Sequence, residues 1–307
     1  MAPTSPLPEG FRLRACEEHD LAVAAALVRA EEEDVRGRSE WGPQEMIDFW
    51  RHGDFGGGSW IVETADGSPV AFALSMHRDD ATDCWVTVQP EFRAQGLSSL
   101  LLEQVELGAR ARRSRTLKVG MLAENGAARA LFDQLGFRES RHFFHMRIVF
   151  DRPPPEPDWP DGIELAPFRR EDARAFHAAL GEAFEDEWGF LALPFETWVR
   201  TRLDVPETDT SLWFVARDED EIAGVNRCDP KKHGGGWIGA LGVRKQWRQR
   251  GIGLALLRQA FVEFHRRGEP HVGLGVDADN PTGATRLYEA AGMQVLTEDV
   301  LFERDLA

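Results

Sequence analysis

The sequence predicts a mixed α/β protein made of two copies of one domain, from its length, an internal repeat and the order of its apolar segments. The chain has 307 residues, which suits two domains of roughly 150 residues better than one core. The block VQPEFRAQGLSSLLL at 88–102 matches VRKQWRQRGIGLALL at 243–257 in Val, Arg, Gly and two Leu. Further matches precede and follow these blocks in the same order, which indicates a tandem repeat.

A proline-rich segment separates the two copies. The sequence FDRPPPEPDWPDG at 150–162 contains five prolines and no apolar period, a composition typical of a semi-rigid linker. We therefore expect an N-terminal domain at 1–151, a linker at 152–160 and a C-terminal domain at 161–307.

Each copy is predicted to begin with a strand, Phe11–Ala15 or Ile163–Pro167, followed by an Ala-rich amphipathic helix, 20–31 or 171–184. A hairpin comes next, because two apolar runs flank a tight acidic turn. This order predicts a largely antiparallel start and a βαβ-like centre. The later elements are a strand (83–88 or 237–243), a long helix (97–112 or 252–267), a strand (116–122 or 271–276), a helix (126–135 or 282–291) and a last strand (141–150 or 295–305).

Composition excludes several classes of protein. The formal charge of −16 disfavours nucleic acid and anionic membranes as partners and mildly favours a cationic small molecule. The sequence contains neither an apolar run of about 18 residues nor a secretory signal at its start. Cys16, Cys84 and Cys228 lie too far apart for a disulfide framework or a metal site. We expect a cytoplasmic protein without a metal.

A glycine turn follows the strand that ends at Val243. The run Arg248-Gln-Arg-Gly-Ile-Gly253 leads directly into a helix with apolar residues at helical spacing. A helix start offers unpaired N–H groups and the positive end of the helix dipole, and glycines allow an anion to approach the backbone closely. The pattern fits a phosphate cradle, although a tight turn with only a structural role has the same sequence.

A second feature lies about 30 residues further on. Asn280 is suited to cap a helix and Pro281 to its first position. That helix carries Tyr288, the single tyrosine of the chain, and is closed by Gly292. A half-buried tyrosine that only packs is the alternative reading.

Together these motifs resemble the GNAT superfamily of acyl-CoA N-acyltransferases, and the C-terminal copy reads like an actinobacterial tandem GNAT protein. The resemblance implies two GNAT-like domains, each a splayed mixed sheet flanked by helices, with acetyl-CoA as donor. It also implies that Tyr288 faces the thioester sulfur. The implied donor-binding residues are Leu241, Gly242, Val243, Arg248, Gln249, Arg250, Gly251, Ile252, Gly253 and Asn280.

The chemistry suits a primary amine that attacks the thioester directly, with Tyr288 as general acid. A thiol has a reference pKa of about 8.5 and a tyrosine of about 10, so transfer of the proton is slightly uphill unless the site shifts one of them. A free N–H beside the splayed strand end is expected to stabilise the oxyanion. The strand at 237–243 lacks the carboxylate that many family members use as base. Other candidates for the base are Asp229, Asp277, Asp279 and the acids Glu185, Asp186 and Glu187.

The second copy also contains one residue more between Asn280 and Gly292 than the first contains between Asn125 and Gly136. We place it at the start of the helix, near Pro281 to Gly283. The position leaves the role of Asn280 open.

The N-terminal copy keeps the turn and loses the acid, because Phe132 stands where the other copy has Tyr288. We expect it to be non-catalytic, and it either retains a CoA site or supports the C-terminal copy. The residues of such a second site would be Val88, Arg93, Gln95, Gly96, Leu97, Ser98 and Asn125.

The resemblance also implies that the acceptor lies beside the segment 181–198, which interleaves aromatic residues with acids; a surface helix with its aromatics packed inward and its acids in water is the alternative. An ammonium group on an apolar body suits such a wall. We expect Glu185 or Asp186 to face the amine, with Trp188 as the apolar platform. The alternatives are a CoA-binding sensor without turnover and a tRNA-dependent aminoacyl transferase on a GNAT-like fold.

Overall fold

The computed structural model describes residues 7–39, 46, 47, 50, 53, 55, 58–190 and 192–306. It has two compact units, which we call the N unit and the C unit. The N unit comprises Met1–Phe143 and Glu298–Ala307, and the C unit comprises Phe144–Thr297. The last strand of each sequence repeat is thus divided between the units, so their limits differ from the boundary at 151–161 that the repeat suggests.

The N unit is built around strands that the sequence pattern anticipates closely. Phe11–Ala15 forms the first strand as expected, whereas the first helix continues to Arg36, beyond the expected end at 31. The elements are β1 (Phe11–Ala15), α1 (Leu21–Arg36), β2 (Trp60–Thr64), β3 (Pro69–Arg78), β4 (Ala81–Val88), α2 (Leu97–Ala111), β5 (Thr116–Leu122), α3 (Gly126–Gln134) and β6 (Arg138–Val149).

The C unit repeats this order. Its short helix Phe195–Trp198 continues into a π-helical turn over Val199–Leu203. The elements are β7 (Ile163–Pro167), α4 (Ala173–Phe184), α5 (Phe195–Trp198), β8 (Trp213–Asp218), β9 (Glu221–Lys232), β10 (Gly235–Val243), α6 (Ile252–Arg266), β11 (His271–Asp277), α7 (Ala284–Ala290) and β12 (Gln294–Asp305).

Both sheets are mixed, with one parallel pair in the centre. In the N unit the order is β1-β2-β3-β4-β5, with the N-unit part of β12 beside β5; in the C unit it is β7-β8-β9-β10-β11, with the C-unit part of β6 beside β11. The strands β4 and β5 run parallel, as do β10 and β11. The antiparallel pairs are β1–β2, β2–β3, β3–β4, β5–β12, β7–β8, β8–β9 and β9–β10. The expected antiparallel start and βαβ centre are confirmed.

Each sheet buries apolar side chains on both faces, because its strands are near-continuous apolar runs. In the C unit, one face packs on α6 through the fully buried Phe261 and Phe264. The other face packs on α4 through Phe176 and the strand residue Trp213. The site described below lies where β10 passes between these two helices.

A tryptophan on a glycine recurs in both units and supports the repeat. Trp85 stands opposite Gly120 on the parallel strands β4 and β5, and Trp237 stands opposite Gly273 on β10 and β11. A Cβ at Gly120 would come within 2.6 Å of the Trp85 ring, and one at Gly273 within 2.9 Å of Trp237. Only glycine leaves room for these rings.

The proline-rich segment belongs to the C unit and partly packs on its core. Trp159 lies against the α6-side cluster, and Phe150 N donates to Pro270 O at 3.0 Å. Among the described residues no helix is long and apolar enough to span a bilayer.

Candidate active site

The glycine turn between β10 and α6 places two residues in the left-handed region, of which only Gly251 is of the type that favours it. Gln249 has φ +63° and Gly251 has φ +87°, both in the left-handed region. Gly251 is the N-cap of α6, and a Cβ there would meet only Pro160 Cγ at 3.8 Å. The space around Gly251 is therefore open.

The main chain of this turn can hold an anion. No hydrogen bond between described residues uses the main-chain N–H groups of residues 249–253. These donors stand at the positive end of the helix dipole, where a phosphate binds well. The residues present fit the pyrophosphate of a CoA donor.

The arginines of the turn are already engaged by the protein. Arg248 donates to Val243 O at 3.2 Å and to Ala183 O at 3.0 Å. Arg250 donates to Asp218 at 3.2 Å. Their side chains brace the turn, so an anion here depends mainly on the backbone N–H groups.

The strand β10 leaves its parallel neighbour just before the turn. It pairs with β11 only from Gly236 to Ile238, and its register with β9 shifts between Ile238 and Ala240. Among the described residues, Gly239 to Val243 thus have no strand partner on the β11 side. This free edge includes Leu241, Gly242 and Val243, which the resemblance assigns to donor binding. The N-unit pair β3–β4 shows no register shift over its whole length.

Tyr288 lies on α7 and its side chain is nearly buried, with 8% of the residue exposed. Burial, and to a smaller extent the charge of Glu187, raises the pKa of Tyr288. Within the described part of the chain, its hydroxyl forms no hydrogen bond. The phenol is therefore protonated at neutral pH and free to donate.

Asn280 does not cap a helix, in contrast to the expectation from the sequence. α7 begins at Ala284 with Gly283 (φ +78°) as its N-cap. The Asn280 side chain instead accepts from Thr282 N at 2.9 Å and closes a local turn. The later helix start agrees with an extra residue near Pro281 to Gly283, since in the N unit Asn125 directly precedes α3 and caps it through Ala128 N.

The other end of the Asn280 side chain reaches Glu187. Asn280 Nδ2 donates to Glu187 Oε1 at 2.9 Å. Burial raises the pKa of Glu187, the Asn280 hydrogen bond lowers it, Asp277 raises it and Arg248 lowers it, in decreasing order of effect. The net direction is upward, so this carboxyl takes up a proton more readily than an ordinary glutamate.

The two acids favoured from the sequence, Glu185 and Asp186, turn toward basic side chains. Both form ion pairs with Lys245, and Asp186 also lies 3.5 Å from Arg248. Three consecutive residues cannot share one direction, and here the third, Glu187, is the one whose carboxylate accepts from Asn280. Trp188 is 38% exposed.

The remaining candidate acids have partners of their own. Asp229 pairs with Arg227 at 2.7 Å, next to Gly239. Asp277 Oδ1 accepts from Asp279 N at 2.9 Å. From the sequence, Glu187 is one candidate acid among several. Its contact with Asn280, 93 residues away along the chain, and its burial cannot be predicted from the local pattern.

The N unit shows the same backbone with different side chains. Ala94 (φ +59°) and Gly96 (φ +80°) repeat the left-handed residues of the glycine turn. Phe132, which is 3% exposed, occupies the place of Tyr288. Asn125 donates to Glu31 at 3.0 Å, as Asn280 does to Glu187.

Two side chains distinguish the N-unit arrangement further. Glu31 is buried and also accepts from the Thr87 hydroxyl at 2.7 Å. Arg93 pairs with Asp34. The repeat aligns Thr87 with Gly242, as it aligns Val88 with Val243, and Glu31 with Ala183, as it aligns Asp20 with Asp172. The C unit therefore lacks both side chains of the hydrogen bond between Thr87 and Glu31.

Comparisons with known proteins agree with this architecture. The acetyltransferase (GNAT) family model matches residues 168–293, and the acetyltransferase (GNAT) domain model matches residues 56–139. A mycothiol acetyltransferase of Acidothermus cellulolyticus is 30% identical over 245 residues, covering 73% of this chain and 72% of the relative. One of Thermobispora bispora is 28% identical over 297 residues, covering 94% and 96%.

Solved structures give the same result. A GCN5-related N-acetyltransferase from Sphaerobacter thermophilus has a TM-score of 0.85 and 33% identity, covering 98% of this chain and 97% of its own. A tandem GNAT protein from the clavulanic acid biosynthesis pathway has a TM-score of 0.71 at 17% identity, covering 96% and 98%; it supports the fold alone.

The chain belongs to the GNAT family of acetyltransferases. It is an N-acetyltransferase with two tandem GNAT domains, and enzymes of this family generally use acetyl-CoA.

Proposed function

We propose that the enzyme transfers the acetyl group of acetyl-CoA to a primary amine of a small cationic molecule, and that the reaction takes place in the C unit. The observation that carries this proposal is an asymmetry. Among the described residues, only the C unit combines a glycine turn whose N–H groups form no hydrogen bond with a tyrosine, Tyr288, whose hydroxyl forms none. The N unit has Phe132 there and is proposed to be non-catalytic.

In this proposal the main-chain N–H groups of residues 249–253 bind the pyrophosphate, since the N–H of Arg248 donates to Lys245 O, and Leu241, Gly242 and Val243 hold the pantetheine along the free edge of β10. A main-chain N–H on that edge stabilises the charge that develops on the carbonyl oxygen. Tyr288 donates a proton to the departing sulfur. Its raised pKa keeps the proton available at neutral pH.

The acceptor is proposed to be a small molecule. The relatives named mycothiol acetyltransferase, one of them 28% identical over 297 residues, support this class. The ring centroids of Phe184 and Phe190 lie 5.7 Å apart, next in sequence to the acids of 185–187. Such an aromatic surface favours an acceptor that combines an amine with an apolar body. The proposed reaction uses no metal ion and is assigned to the cytoplasm.

The proposal is tested by thiol release from acetyl-CoA across a panel of amines: aminoglycosides, polyamines, amino-sugar thiols and antibiotic precursors. We expect at least one amine to accelerate thiol release and to be recovered as its N-acetyl product by mass spectrometry. If no amine raises thiol release above the rate without amine, the proposed acceptor class is wrong.

A further inference from the structure

Direct attack on a thioester requires a neutral amine, whereas a primary amine is mostly an ammonium ion at neutral pH. Some group must take up its proton, and β10 offers no carboxylate between Trp237 and Val243. The base must therefore come from another element of the C unit.

We propose that Glu187 is the general base of acetyl transfer and that Asn280 is the positioning residue that holds its carboxylate. This inference rests on the proposed function, since it presupposes an amine acceptor. It assigns to Asn280 a contact with the protein in place of the donor-binding role that the family resemblance implies.

The first support is the hydrogen-bond geometry. Asn280 fixes one carboxylate oxygen, Oε1, at 2.9 Å. The second oxygen, Oε2, has no partner among the described residues. One oxygen is thus anchored and the other is available to a proton, the arrangement expected of a preorganised base.

The Asn280 amide is itself held in place. Its oxygen accepts from Thr282 N and Oγ1, and its main-chain N donates to Asp277 O at 3.1 Å. Because the oxygen end serves the local turn, the NH₂ end is left to face Glu187. A turn following β11 therefore aims Asn280 at the carboxylate.

Comparison with the neighbouring acids is the second support. Glu185 and Asp186 are paired with Lys245, and Asp229 with Arg227. A close cation favours the charged form of a carboxylate and weakens it as a base. Within the described chain Glu187 forms no ion pair, and the charges that act on it are those of Asp277 and Arg248.

The electrostatic surroundings point the same way. Burial and, to a smaller extent, Asp277 at the end of β11 raise the pKa of Glu187, while the Asn280 hydrogen bond and Arg248 of the glycine turn lower it. The Glu187 charge in turn raises the pKa of Tyr288 on α7. A glutamate with a raised pKa and a tyrosine with a raised pKa form a base and an acid that face the same site.

The proton balance is simple. Glu187 takes one proton from the ammonium, and the neutral nitrogen forms the C–N bond as the C–S bond breaks. Tyr288 gives its proton to the sulfur, which leaves with the bonding electron pair, and recovers a proton from the newly bonded nitrogen. The ammonium, having three protons, leaves one on the amide and one on the thiol; the third goes from Glu187 to solvent.

The N unit supplies the competing explanation. There Asn125 donates to Glu31 although Phe132 stands in place of the tyrosine and has no proton to donate. A contact of this kind therefore also has a structural role. However, the second carboxylate oxygen of Glu31 accepts from the Thr87 hydroxyl, whereas the second oxygen of Glu187 has no partner among the described residues. The experiment must therefore separate proton transfer from packing.

A test without any acceptor uses the single tyrosine. Protein labelled with ¹³Cζ-tyrosine gives one resonance, that of Tyr288, whose shift is followed against pH. In the wild type we expect a titration step above the ordinary glutamate value of about 4.3, caused by Glu187. Glu187→Gln must abolish the step. Asn280→Ala must move it to higher pH, because the amide stabilises the charged carboxylate; Glu185→Gln, a variant of the neighbouring exposed acid, must leave it in place.

The kinetic test uses the best amine from the panel. Glu187→Gln should lower kcat about 10²-fold or more and remove the acidic limb of the pH profile of kcat. The ratio of wild-type to variant kcat should decrease as the pH approaches the pKa of the free amine, because more of the amine is then already neutral. Glu171→Gln, a variant of an exposed acid of the C unit that lies near Arg169, should retain both kcat and the limb. A purely structural contact would change thermal stability or KM and keep the limb.

The outcomes separate this inference from the proposed function. Absence of the titration step in the wild type, or its persistence in Glu187→Gln, overturns the base assignment even if an amine is acetylated. Retention of wild-type kcat and of the acidic limb in Glu187→Gln overturns it as well. If no amine is acetylated, the proposed function fails and the base assignment fails with it.

Discussion

Tyr288 shows how a single side chain can distinguish two nearly identical backbones. Its counterpart Phe132 is buried to a similar degree and differs by one oxygen atom. The sequence was sufficient to single out Tyr288, because it is the only tyrosine and stands four residues before Gly292. The raised pKa required the structure, since it arises from burial and from Glu187.

Replacing Tyr288 by phenylalanine should lower turnover about 10²-fold or more, because the leaving sulfur loses its proton donor. Affinity for CoA, measured by calorimetry, should stay nearly unchanged, since the ring and the glycine turn are retained. Wild-type turnover in Tyr288→Phe would reduce the residue to a packing role.

His142 illustrates what residue pattern cannot reveal. From the sequence, its spacing to other histidines gives no metal site and no further role. In the N unit its two ring nitrogens contact Glu298 and Glu139, the latter at 2.8 Å. Glu298 lies 156 residues away along the chain, so no local pattern could have predicted the pair.

These contacts predict a pH-dependent stability. The hydrogen bond to Glu298, followed in effect by that to Glu139, raises the pKa of His142. The stabilisation is therefore complete below the unfolded value of about 6.5 and is lost as the pH rises through the raised folded value. The free energy of unfolding of His142→Gln should lie below that of the wild type at pH 6, by roughly 1 kcal/mol or less for this partly exposed group. The two values should converge at pH 9. Thermal melts of both proteins at the two pH values measure the difference.

A matched control is available in His19, whose ring lies beside Glu17 at the surface. His19→Gln should change the melting temperature little at either pH. An equal gap between wild type and His142→Gln at pH 6 and pH 9 would contradict the assignment.

The elements were predictable wherever apolar period and glycine turns agree. The strands Phe11–Ala15 and Ile163–Pro167 have the expected limits, and α2 and α6 begin at the expected residues Leu97 and Ile252. α7 was misplaced, because Asn280 and Pro281 resemble a helix start but form a local turn instead. An Asx turn and a helix N-cap use the same residues, so sequence alone does not separate them.

The packing of Trp85 on Gly120 gives a prediction for the parallel strand pair. Gly120→Ala would place a Cβ within 2.6 Å of the indole and should destabilise the protein by about 1–3 kcal/mol, the usual cost of overpacking. Denaturant unfolding followed by tryptophan fluorescence measures this directly.

The control is Gly126→Ala in the same unit, at the start of α3, where a Cβ meets no atom within 4 Å. It should be neutral or slightly stabilising, because alanine restricts the unfolded chain. Equal stability of the two variants would show that the ring does not need the glycine.

The tandem organisation can be predicted from the sequence repeat. The repeat does not predict that β6 and β12 are each divided between the two units. Residues 298–305 of β12 lie beside β5 in the N unit, and residues 144–149 of β6 lie beside β11 in the C unit. β6 and β12 have similar alternating patterns, and a strand pattern specifies a face rather than a neighbour. Topology of this kind is determined by long-range pairing, which local sequence does not encode.

The central claim, that the donor binds on the glycine turn of the C unit, is tested most directly by calorimetric titration of CoA into Gly251→Glu. The matched variants are Gly251→Gln, which has the same backbone strain without the charge, and Gly96→Glu, at the equivalent left-handed residue of the N unit. Gly253 is less suitable, because a Cβ there would press on Leu287 at 3.2 Å. We predict that Gly251→Glu weakens the tightest CoA binding more than tenfold, or about 1.4 kcal/mol, that Gly251→Gln weakens it less, and that Gly96→Glu leaves it intact. Unchanged CoA affinity in folded Gly251→Glu, or an equal loss in Gly96→Glu, would contradict the claim.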